Sequence, residues 1–371
     1  MRDNRNAIIA IILTTCLVIM MMTILASADA NINTSAKSAA VYEPRTQTFS
    51  YSKDINRRLP MASTTKIMTG LLAIELAELN EVVEIPPEAV GIEGSSIYLG
   101  VGDTLTMRDL IYSLLLQSAN DAATAIAIKL GGDIKTFSDM MNKRASDIGL
   151  EDTNFDNPHG LDSENHYTTA HDLAILTATA LENPTFRKVV STYKYSFMSG
   201  EKQRTVVNHN KLLTSYDGAI GVKTGYTKTS GRCLVSAAER NGVTLIAVTL
   251  SAPDDWRDHT TMLDYGFTQY EAVSPYSLVK QEYAIPLMSN EGGGIIAELS
   301  DTPTLIRHIS EPRITAELAI KQYALLPVKK GDVMGEVVFM AGNRTIAKAN
   351  YLATESCEEN KDRFNIFDLF R

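Results

Sequence analysis

The chain has 371 residues and a formal net charge of −9 at pH 7. This acidic balance, with no basic run along the sequence, argues against nucleic acid as a partner, because phosphate binding needs clustered Lys and Arg. An apolar content of 44% is enough to build a full hydrophobic core, in one large domain or in two, without metal or disulfide staples.

The N-terminus has the pattern of an export signal. Two arginines among the first five residues precede an uncharged apolar run over residues 7–25, and Ala-Ser-Ala follows at 26–28. We predict a signal peptide over 1–28 and a flexible leader over 29–37. The apolar run is long, so an uncleaved membrane anchor is the alternative.

Cysteine usage agrees with export of a protein that does not depend on disulfides. Cys16 lies inside the predicted signal, which leaves Cys233 and Cys357 in the mature chain. Two cysteines do not make a disulfide framework, and Cys233 lies in an apolar run, where a buried free thiol is expected. The predicted location is extracytoplasmic, at the outer face of the cytoplasmic membrane or in the cell wall.

Hydrophobic periodicity predicts an α+β fold. In chain order, the predicted elements are strands at 39–42 and 48–51, a helix from Ser63 that ends by Asn80, short strands and turns over 81–105, helices at 106–116, 121–130, 137–148 and 169–182, a short helix from Pro184, strands at 193–198, 203–208, 219–226, 233–239 and 243–251, and a helix at 255–270. Asn241-Gly242 predicts the tight turn between the last two strands. Together these elements predict a helical cluster on an antiparallel sheet built from both ends of residues 38–273.

The pattern changes after residue 274. Short β-like runs alternate with Gly, Pro and Asn turns over 274–354, which predicts a smaller, β-rich C-terminal domain. The tail over 355–371 is charged and then apolar. It is compatible with a short helix on a membrane surface or with a segment packed on the domain, so a membrane surface is a candidate partner.

The first candidate functional motif is Ser63-Thr64-Thr65-Lys66. On a helix, Ser63 and Lys66 would share one face, so that the lysine could take the hydroxyl proton. At a helix N-terminus the backbone dipole would favour a developing alkoxide. Apolar neighbours would desolvate Lys66 and lower its pKa. For an isolated match of this motif, an N-cap serine followed by an exposed lysine is the more common explanation.

Two further polar motifs follow at positions where a cleft is plausible. Ser118-Ala119-Asn120 interrupts two apolar helices, a context in which polar side chains need partners. Lys223-Thr224-Gly225 lies on a predicted strand, and a glycine there indicates close approach of another backbone, here that of a substrate. Each alone is also explained as an ordinary turn.

Together, in this order and in these contexts, the three motifs form a set that is typical of penicillin-binding proteins and class A β-lactamases. The sequence resembles the low-molecular-weight penicillin-binding proteins that act as D-alanyl-D-alanine carboxypeptidases. The resemblance extends over about residues 38–350. It is most evident at 59–69 (LPMASTTKIMT), 157–161 (NPHGL) and 221–227 (GVKTGYT).

The resemblance implies a catalytic set of Ser63, Lys66, Ser118, Asn120 and Lys223. Ser63 would attack the carbonyl of the penultimate D-alanine of a peptidoglycan stem pentapeptide, with Lys66 as its base. Ser118 and Lys223 would relay protons toward the leaving amine. Asn120 would hold the substrate amide and orient Lys66. Water would then hydrolyse the acyl-enzyme, and β-lactams would acylate the same serine.

The resemblance also implies a substrate-binding set. Its members are Lys223, Thr224, Gly225, Tyr226, Arg257 and Lys211. The backbone N–H groups of Ser63 and Tyr226 would form the oxyanion hole. Thr224 and a nearby cation would take the terminal carboxylate. Arg257 and Lys211 are both candidates for that cation, and an arginine has the better geometry for a carboxylate. No cofactor and no metal are expected.

One residue and one segment depart from the family's pattern. Tyr226 stands where the family often has a histidine, which changes little if only the backbone N–H is used. The family's C-terminal amphipathic anchor is only faintly visible in the tail.

Other classes of protein fit less well. A β-lactamase needs a carboxylate that activates water, and Glu164, the only glutamate in the corresponding loop, lacks the expected surroundings. The histidines show no metal-ligand spacing, which argues against a metalloenzyme. A structural wall-binding protein would not need the three motifs. A penicillin-acylated sensor or scaffold with little turnover remains the main alternative.

Overall fold

The computed structural model describes residues 32–288 and 293–358, and its described residues from Ser35 onward belong to one compact unit. The predicted signal peptide, the first residues of the leader and most of the predicted tail lie outside the described residues. No helix within the described ranges combines the length and the hydropathy that a membrane span requires.

A five-stranded antiparallel sheet forms the centre of the first region. Its strands are β1 (Ser38–Glu43), β2 (Thr48–Lys53), β7 (Ala219–Thr227), β8 (Gly231–Arg240) and β9 (Val243–Leu250). They are ordered β2-β1-β9-β8-β7, so both ends of the region contribute and β7 forms one edge. Asn241 and Gly242, both with positive φ, make the predicted tight turn between β8 and β9.

Helices cover this sheet. They are α1 (Lys66–Leu76), α2 (Met107–Leu116), α3 (Asn120–Gly131), α4 (Ile134–Asp147), α5 (Ala170–Glu182), α6 (Pro184–Ser191), α7 (Leu212–Ser215) and α8 (Asp255–Thr268). Thr106 begins α2 with a reciprocal capping box to Asp109, and the Thr169 side chain caps α5. The small strands between them are β3 (Val82–Glu84), β4 (Thr104–Thr106), β5 (Lys194–Ser199) and β6 (Lys202–Val207). The predicted helical cluster on an antiparallel sheet is thereby confirmed.

The segment around Ser63 differs from the predicted continuous helix. Residues Ala62–Thr65 form a 3₁₀ turn, which we call the nucleophile turn, and α1 begins only at Lys66. Two threonines bond backward within it: Thr64 Oγ1 donates to Met61 O at 2.6 Å and Thr65 Oγ1 to Ala62 O at 2.8 Å. These i to i−3 bonds favour the tighter turn. Ser63 therefore precedes α1 instead of capping it.

The C-terminal region has its own sheet and its own core. The remaining strands are β10 (Tyr270–Val273), β11 (Glu282–Met288), β12 (Gly294–Leu299), β13 (Leu305–His308), β14 (Ile314–Ile320), β15 (Ala324–Leu325), β16 (Val333–Ala341) and β17 (Arg344–Ala353). Six of them form a sheet ordered β14-β16-β17-β12-β11-β15, while β10 pairs with β13. The buried residues of this region form a cluster separate from the larger core of the first region. The predicted β-rich C-terminal part is confirmed.

Candidate active site

Ser63 and Lys66 are in hydrogen-bond contact at the base of a cleft. Lys66 Nζ lies 2.8 Å from Ser63 Oγ and 2.6 Å from the carbonyl oxygen of His159. Lys66 is fully buried, whereas Ser63 lines the cleft. A hydroxyl at this distance from an enclosed amine can transfer its proton to that amine and become a nucleophile.

The surroundings of Lys66 favour its neutral form. Burial lowers the pKa of Lys66 well below its usual 10.5, and the positive charge of Lys223 lowers it further, against the opposing effect of Asp121. A buried amine without a carboxylate in contact loses most of the solvation that stabilises its charged form. The lowered pKa makes the amine available as a base at a lower pH than an exposed lysine.

Ser118 and Asn120 lie where the sequence predicted a break between two helices. Ser118, which has a positive φ of 62°, precedes α3 and lines the same cleft as Ser63. Asn120 Nδ2 donates to Glu93 O at 2.5 Å, and its backbone N–H donates to Ser95 O at 2.7 Å. Its Oδ1 is buried and has no partner among the described residues. An orphan acceptor of this kind suits an incoming N–H donor.

A buried carboxylate holds the loop that contacts Asn120. Asp121 accepts hydrogen bonds from Ser96 Oγ at 2.6 Å and from the backbone N–H of Leu99 at 3.1 Å. Asp121 is the second residue of α3, so the helix start and the loop over residues 93–99 are fixed together. The orientation of Asn120 therefore depends on residues some 25 positions earlier in the chain.

The Lys-Thr-Gly motif lies on edge strand β7, beside the nucleophile turn. Lys223 is buried, donates to Thr224 O at 2.9 Å, and has its pKa lowered to about 7 by burial. A Cβ on Gly225 would lie 2.9 Å from Ser63 N. The close approach that the sequence assigned to a substrate backbone is thus made by the backbone of the nucleophile itself.

The cleft above these groups has a volume of about 580 Å³, within the range of ligand sites. It is lined by Ser63, Ser95, Ser118, Asn208, His209, Lys211, Thr224, Gly225, Tyr226, Arg232, Asp255 and Trp256. Tyr226 is exposed at its edge. The structure therefore brings Ser63, Ser118, Thr224, Gly225, Tyr226 and Lys211 to one cavity. Buried Lys66 lies beside Ser63, and Lys223 and Asn120 are neighbours of lining residues.

Arg257, the other predicted cation, is not among the lining residues. Its side chain is 83% exposed on α8, with Asp254 the nearest acid at 3.9 Å. Lys211 does line the cleft, and its Nζ lies 5.9 Å from the centre of the Trp256 ring. A second cation, Arg232, also lines the cleft, although no sequence motif indicated it. Its Nε donates to Asp255 Oδ1 at 2.9 Å.

Of the cleft residues that no motif indicated, Arg232 could have been predicted from the sequence, but His209 could not. Arg232 pairs with Tyr226 across the β7–β8 hairpin, so extending the predicted hairpin register would have placed it beside the motif. His209 also lines the cleft, and burial together with Lys223 lowers its pKa. No local pattern distinguishes His209 from a loop histidine. Among residues 32–288 and 293–358, no three His, Cys, Asp or Glu side chains cluster as a metal site would require.

Fold and site together define a serine hydrolase in which a buried lysine is paired with the nucleophile and a second lysine lies on an adjacent edge strand. The family model of the D-alanyl-D-alanine carboxypeptidases, peptidase S11, matches residues 24–254. The chain belongs to this family, and it is a serine-type D-Ala-D-Ala carboxypeptidase. The resemblance to low-molecular-weight penicillin-binding proteins is confirmed.

Individual relatives agree with this assignment. The D-alanyl-D-alanine carboxypeptidase DacF of Bacillus subtilis is 31% identical over 335 residues, which are 87% of this chain and 86% of the relative. The crystal structure of the DD-transpeptidase of Streptomyces K15 is 35% identical with a TM-score of 0.61, and the match covers 64% of this chain and 98% of that one. The D-alanyl-D-alanine carboxypeptidase DacD of Francisella tularensis shares the fold, with a TM-score of 0.63 at 24% identity over 89% of this chain and 95% of that one.

Proposed function

We propose that the enzyme removes the terminal D-alanine from peptidoglycan stem pentapeptides through an acyl-enzyme on Ser63. The observation that carries this proposal is the 2.8 Å contact between Ser63 Oγ and the Nζ of a fully buried lysine, Lys66. Neutral Lys66 accepts the hydroxyl proton while Ser63 Oγ bonds to the carbonyl carbon of the penultimate D-alanine. The His159 carbonyl, 2.6 Å from Nζ, orients the amine.

The tetrahedral intermediate then expels D-alanine. Its oxyanion is bound by the backbone N–H groups of Ser63 and Tyr226. The nucleophile turn can lie this close to β7 because Gly225 has no side chain. The proton held by Lys66 passes through Ser118, assisted by Lys223, to the leaving nitrogen as the C–N bond breaks. Water then attacks the ester with Lys66 again as base. Ser63 is regenerated and the tetrapeptide is released.

Edge strand β7 offers the surface along which the substrate binds. An extended peptide can add to a free strand edge by main-chain hydrogen bonds. The orphan Oδ1 of Asn120 accepts from a substrate amide on the opposite side of the cleft. Thr224 and Lys211 take the terminal carboxylate, and Arg257 would need to turn inward from its exposed position to contribute.

Two further parts of the proposal concern inhibition and location. β-Lactams mimic the terminal dipeptide and acylate Ser63. The chain is exported by the signal pattern over residues 1–28 and acts outside the cytoplasmic membrane. Contact of the tail over residues 355–371 with a membrane surface would depend on its apolar end, because its basic content is slight.

The decisive experiment measures D-alanine release from a peptide that ends in D-Ala-D-Ala, with and without penicillin. We expect release that penicillin blocks, no release and no covalent penicillin label in Ser63→Ala, and a folded Lys66→Ala that loses most acylation, by about 10²–10⁴-fold. An exposed lysine variant, Lys188→Ala, controls for charge removal. Stoichiometric labelling at Ser63 without release would contradict turnover and favour the sensor or scaffold.

A further inference from the structure

A chain of three hydrogen bonds runs behind the nucleophile turn. The backbone N–H of Asp156 donates to His166 Nδ1 at 3.0 Å, His166 Nε2 lies 2.7 Å from Thr65 Oγ1, and Thr65 Oγ1 donates to Ala62 O at 2.8 Å. A backbone N–H can only donate, so Nδ1 is the acceptor and the ring proton is on Nε2. Nε2 therefore donates to the Thr65 hydroxyl, whose own proton is free for Ala62.

The two bonds made by Thr65 Oγ1 are closed to water. Thr65 is 0% exposed, Ala62 2% and His166 3%, so solvent cannot replace a lost partner. The His166 and Phe155 rings pack against each other in a T-shaped arrangement. Burial lowers the pKa of His166 to about 4, with Lys66 acting in the same direction and Asp156 and Asp162 opposing it. The imidazole is thus neutral at physiological pH and keeps this tautomer.

The carbonyl at the end of the chain belongs to the residue before the nucleophile. Ala62 has a positive φ of 47°, a backbone conformation that is strained for any residue with a Cβ and that its surroundings must hold in place. The Ala62 carbonyl also packs against Gly160, where a Cβ would lie only 1.9 Å away. Gly160 follows His159, whose carbonyl accepts from Lys66. The Ala62 carbonyl thus belongs to the residue before Ser63 and contacts the residue after His159, the partner of Lys66.

We propose that Thr65 and His166 are positioning residues, which hold the Ala62 carbonyl and thereby keep Ser63 Oγ aligned with Lys66 Nζ. Neither residue lines the cleft, and neither touches the reacting atoms. The inference rests on the proposed role of Ser63 as nucleophile. It predicts an effect on the chemical step, because small displacements between nucleophile and base cost rate while the substrate contacts remain unchanged.

The test uses near-isosteric variants of the full chain. Thr65→Val removes the hydroxyl and keeps the shape, Thr65→Ser keeps the hydroxyl, and His166→Phe keeps an aromatic ring without the Nε2 donor. Thr177→Val is the matched control, because Thr177 is equally buried and donates to a backbone carbonyl, that of Leu173 at 2.7 Å, within α5. Readouts are kcat and KM for D-alanine release, the rate of penicillin acylation, and the melting temperature.

We expect Thr65→Val and His166→Phe each to lower kcat and the acylation rate about ten- to a hundredfold with little change in KM. Thr65→Ser should restore most of the rate, and Thr177→Val should leave it unchanged even if it melts earlier. The double variant of Thr65 and His166 should be no slower than the slower single variant. Equal rates for Thr65→Val and Thr65→Ser, or multiplying losses in the double variant, would overturn the inference. Activity retained by Ser63→Ala would instead overturn the proposed function.

Discussion

Lys66 and Lys223 are both buried, but the proposed mechanism needs them in opposite protonation states. As a base Lys66 must be neutral, so turnover requires a pH above its lowered pKa. As a proton donor Lys223 must be charged, so turnover declines as the pH rises through about 7. Two groups with opposite requirements produce a bell-shaped dependence of kcat/KM on pH.

The alkaline side of that profile is testable with a residue that stays charged. Lys223→Arg keeps the positive charge at all accessible pH values. We expect this variant to be slower at its optimum but to lose the alkaline decline that the pKa of Lys223, about 7, predicts for the wild type. The measurement is kcat/KM for D-alanine release across the pH range. An unchanged alkaline decline in Lys223→Arg would show that a group other than Lys223 causes it.

The position of Lys211 leads to a prediction about recognition of the substrate carboxylate. Removing a charged hydrogen bond to a carboxylate costs about 1.5–3 kcal/mol, so Lys211→Ala should raise KM about ten- to a hundredfold. Arg257→Ala should change KM little, because that side chain is 83% exposed and outside the cleft. The same pair of variants assayed on a peptide with an amidated C-terminus is the control, since the Lys211 effect should vanish there. A larger effect of Arg257→Ala would show that its side chain turns into the cleft when substrate binds.

Among the structural elements, the loop that follows α4 supplies the carbonyl that orients Lys66. Gly160 in this loop has a φ of 88°, and a Cβ there would lie 1.9 Å from Ala62 O. Gly160→Ala should therefore displace the loop, withdraw the His159 carbonyl from Lys66, and lower both stability and the acylation rate. Denaturant unfolding and penicillin labelling measure the two effects.

A substitution at a second glycine, Gly149, distinguishes the effect of backbone strain from that of the steric clash at Gly160. Gly149 has a φ of 78° and no atom within 4 Å of an added Cβ. Gly149→Ala should cost only about 1 kcal/mol, the cost of a left-handed conformation, and leave acylation unchanged. If Gly160→Ala behaves like Gly149→Ala, the loop does not position Lys66 through this contact.

The elements that the sequence predicted correctly are those with local causes. The capping threonines Thr106 and Thr169 and the Asn241-Gly242 turn are determined by residues within a few positions. The positive φ values of Ala62 and Ser118 have no such local signal, because neither residue is a glycine. For Ala62, the carbonyl packs against Gly160, almost 100 positions later in the chain. The helix that was predicted to end by Asn80 ends at Leu76. Leu79 continues the apolar pattern beyond it, because Leu79 packs on the core from outside the helix.

For the site, the sequence predicted the reactive residues better than it predicted which side chains face the cleft. Ser63 and Lys66 are three residues apart, so their contact follows from local geometry, although in a 3₁₀ turn joined to a helix. Which residues of α8 face the cleft depends on how that helix packs on the sheet. Asp255 and Trp256 line the cleft while Arg257, the next residue, is exposed. A resemblance that names a residue type cannot supply this orientation.

At the scale of the whole molecule, the two hydrophobic cores share no residue. The segments around residue 274 are nevertheless connected, because β10 pairs with β13 and Arg307 forms an ion pair with Glu271. All residues that line the cleft lie before residue 257. We therefore propose two domains with a boundary at residues 273/274, in which the first carries the complete catalytic site.

A truncated chain tests this division. The Streptomyces K15 enzyme matches 64% of this chain with 98% of its own length, so a related fold of about that extent exists without an equivalent of the remainder. We expect residues 35–273 to fold, to bind penicillin covalently at Ser63 and to release D-alanine at a rate close to that of the longer chain. The melting temperature should be lower, because β10 loses its partner and Glu271 loses Arg307. A second truncation after Thr268, the last residue of α8, removes the unpaired strand and should recover part of that loss. If neither fragment labels with penicillin while the longer chain does, the C-terminal sheet is a structural part of the catalytic unit and the boundary is wrong.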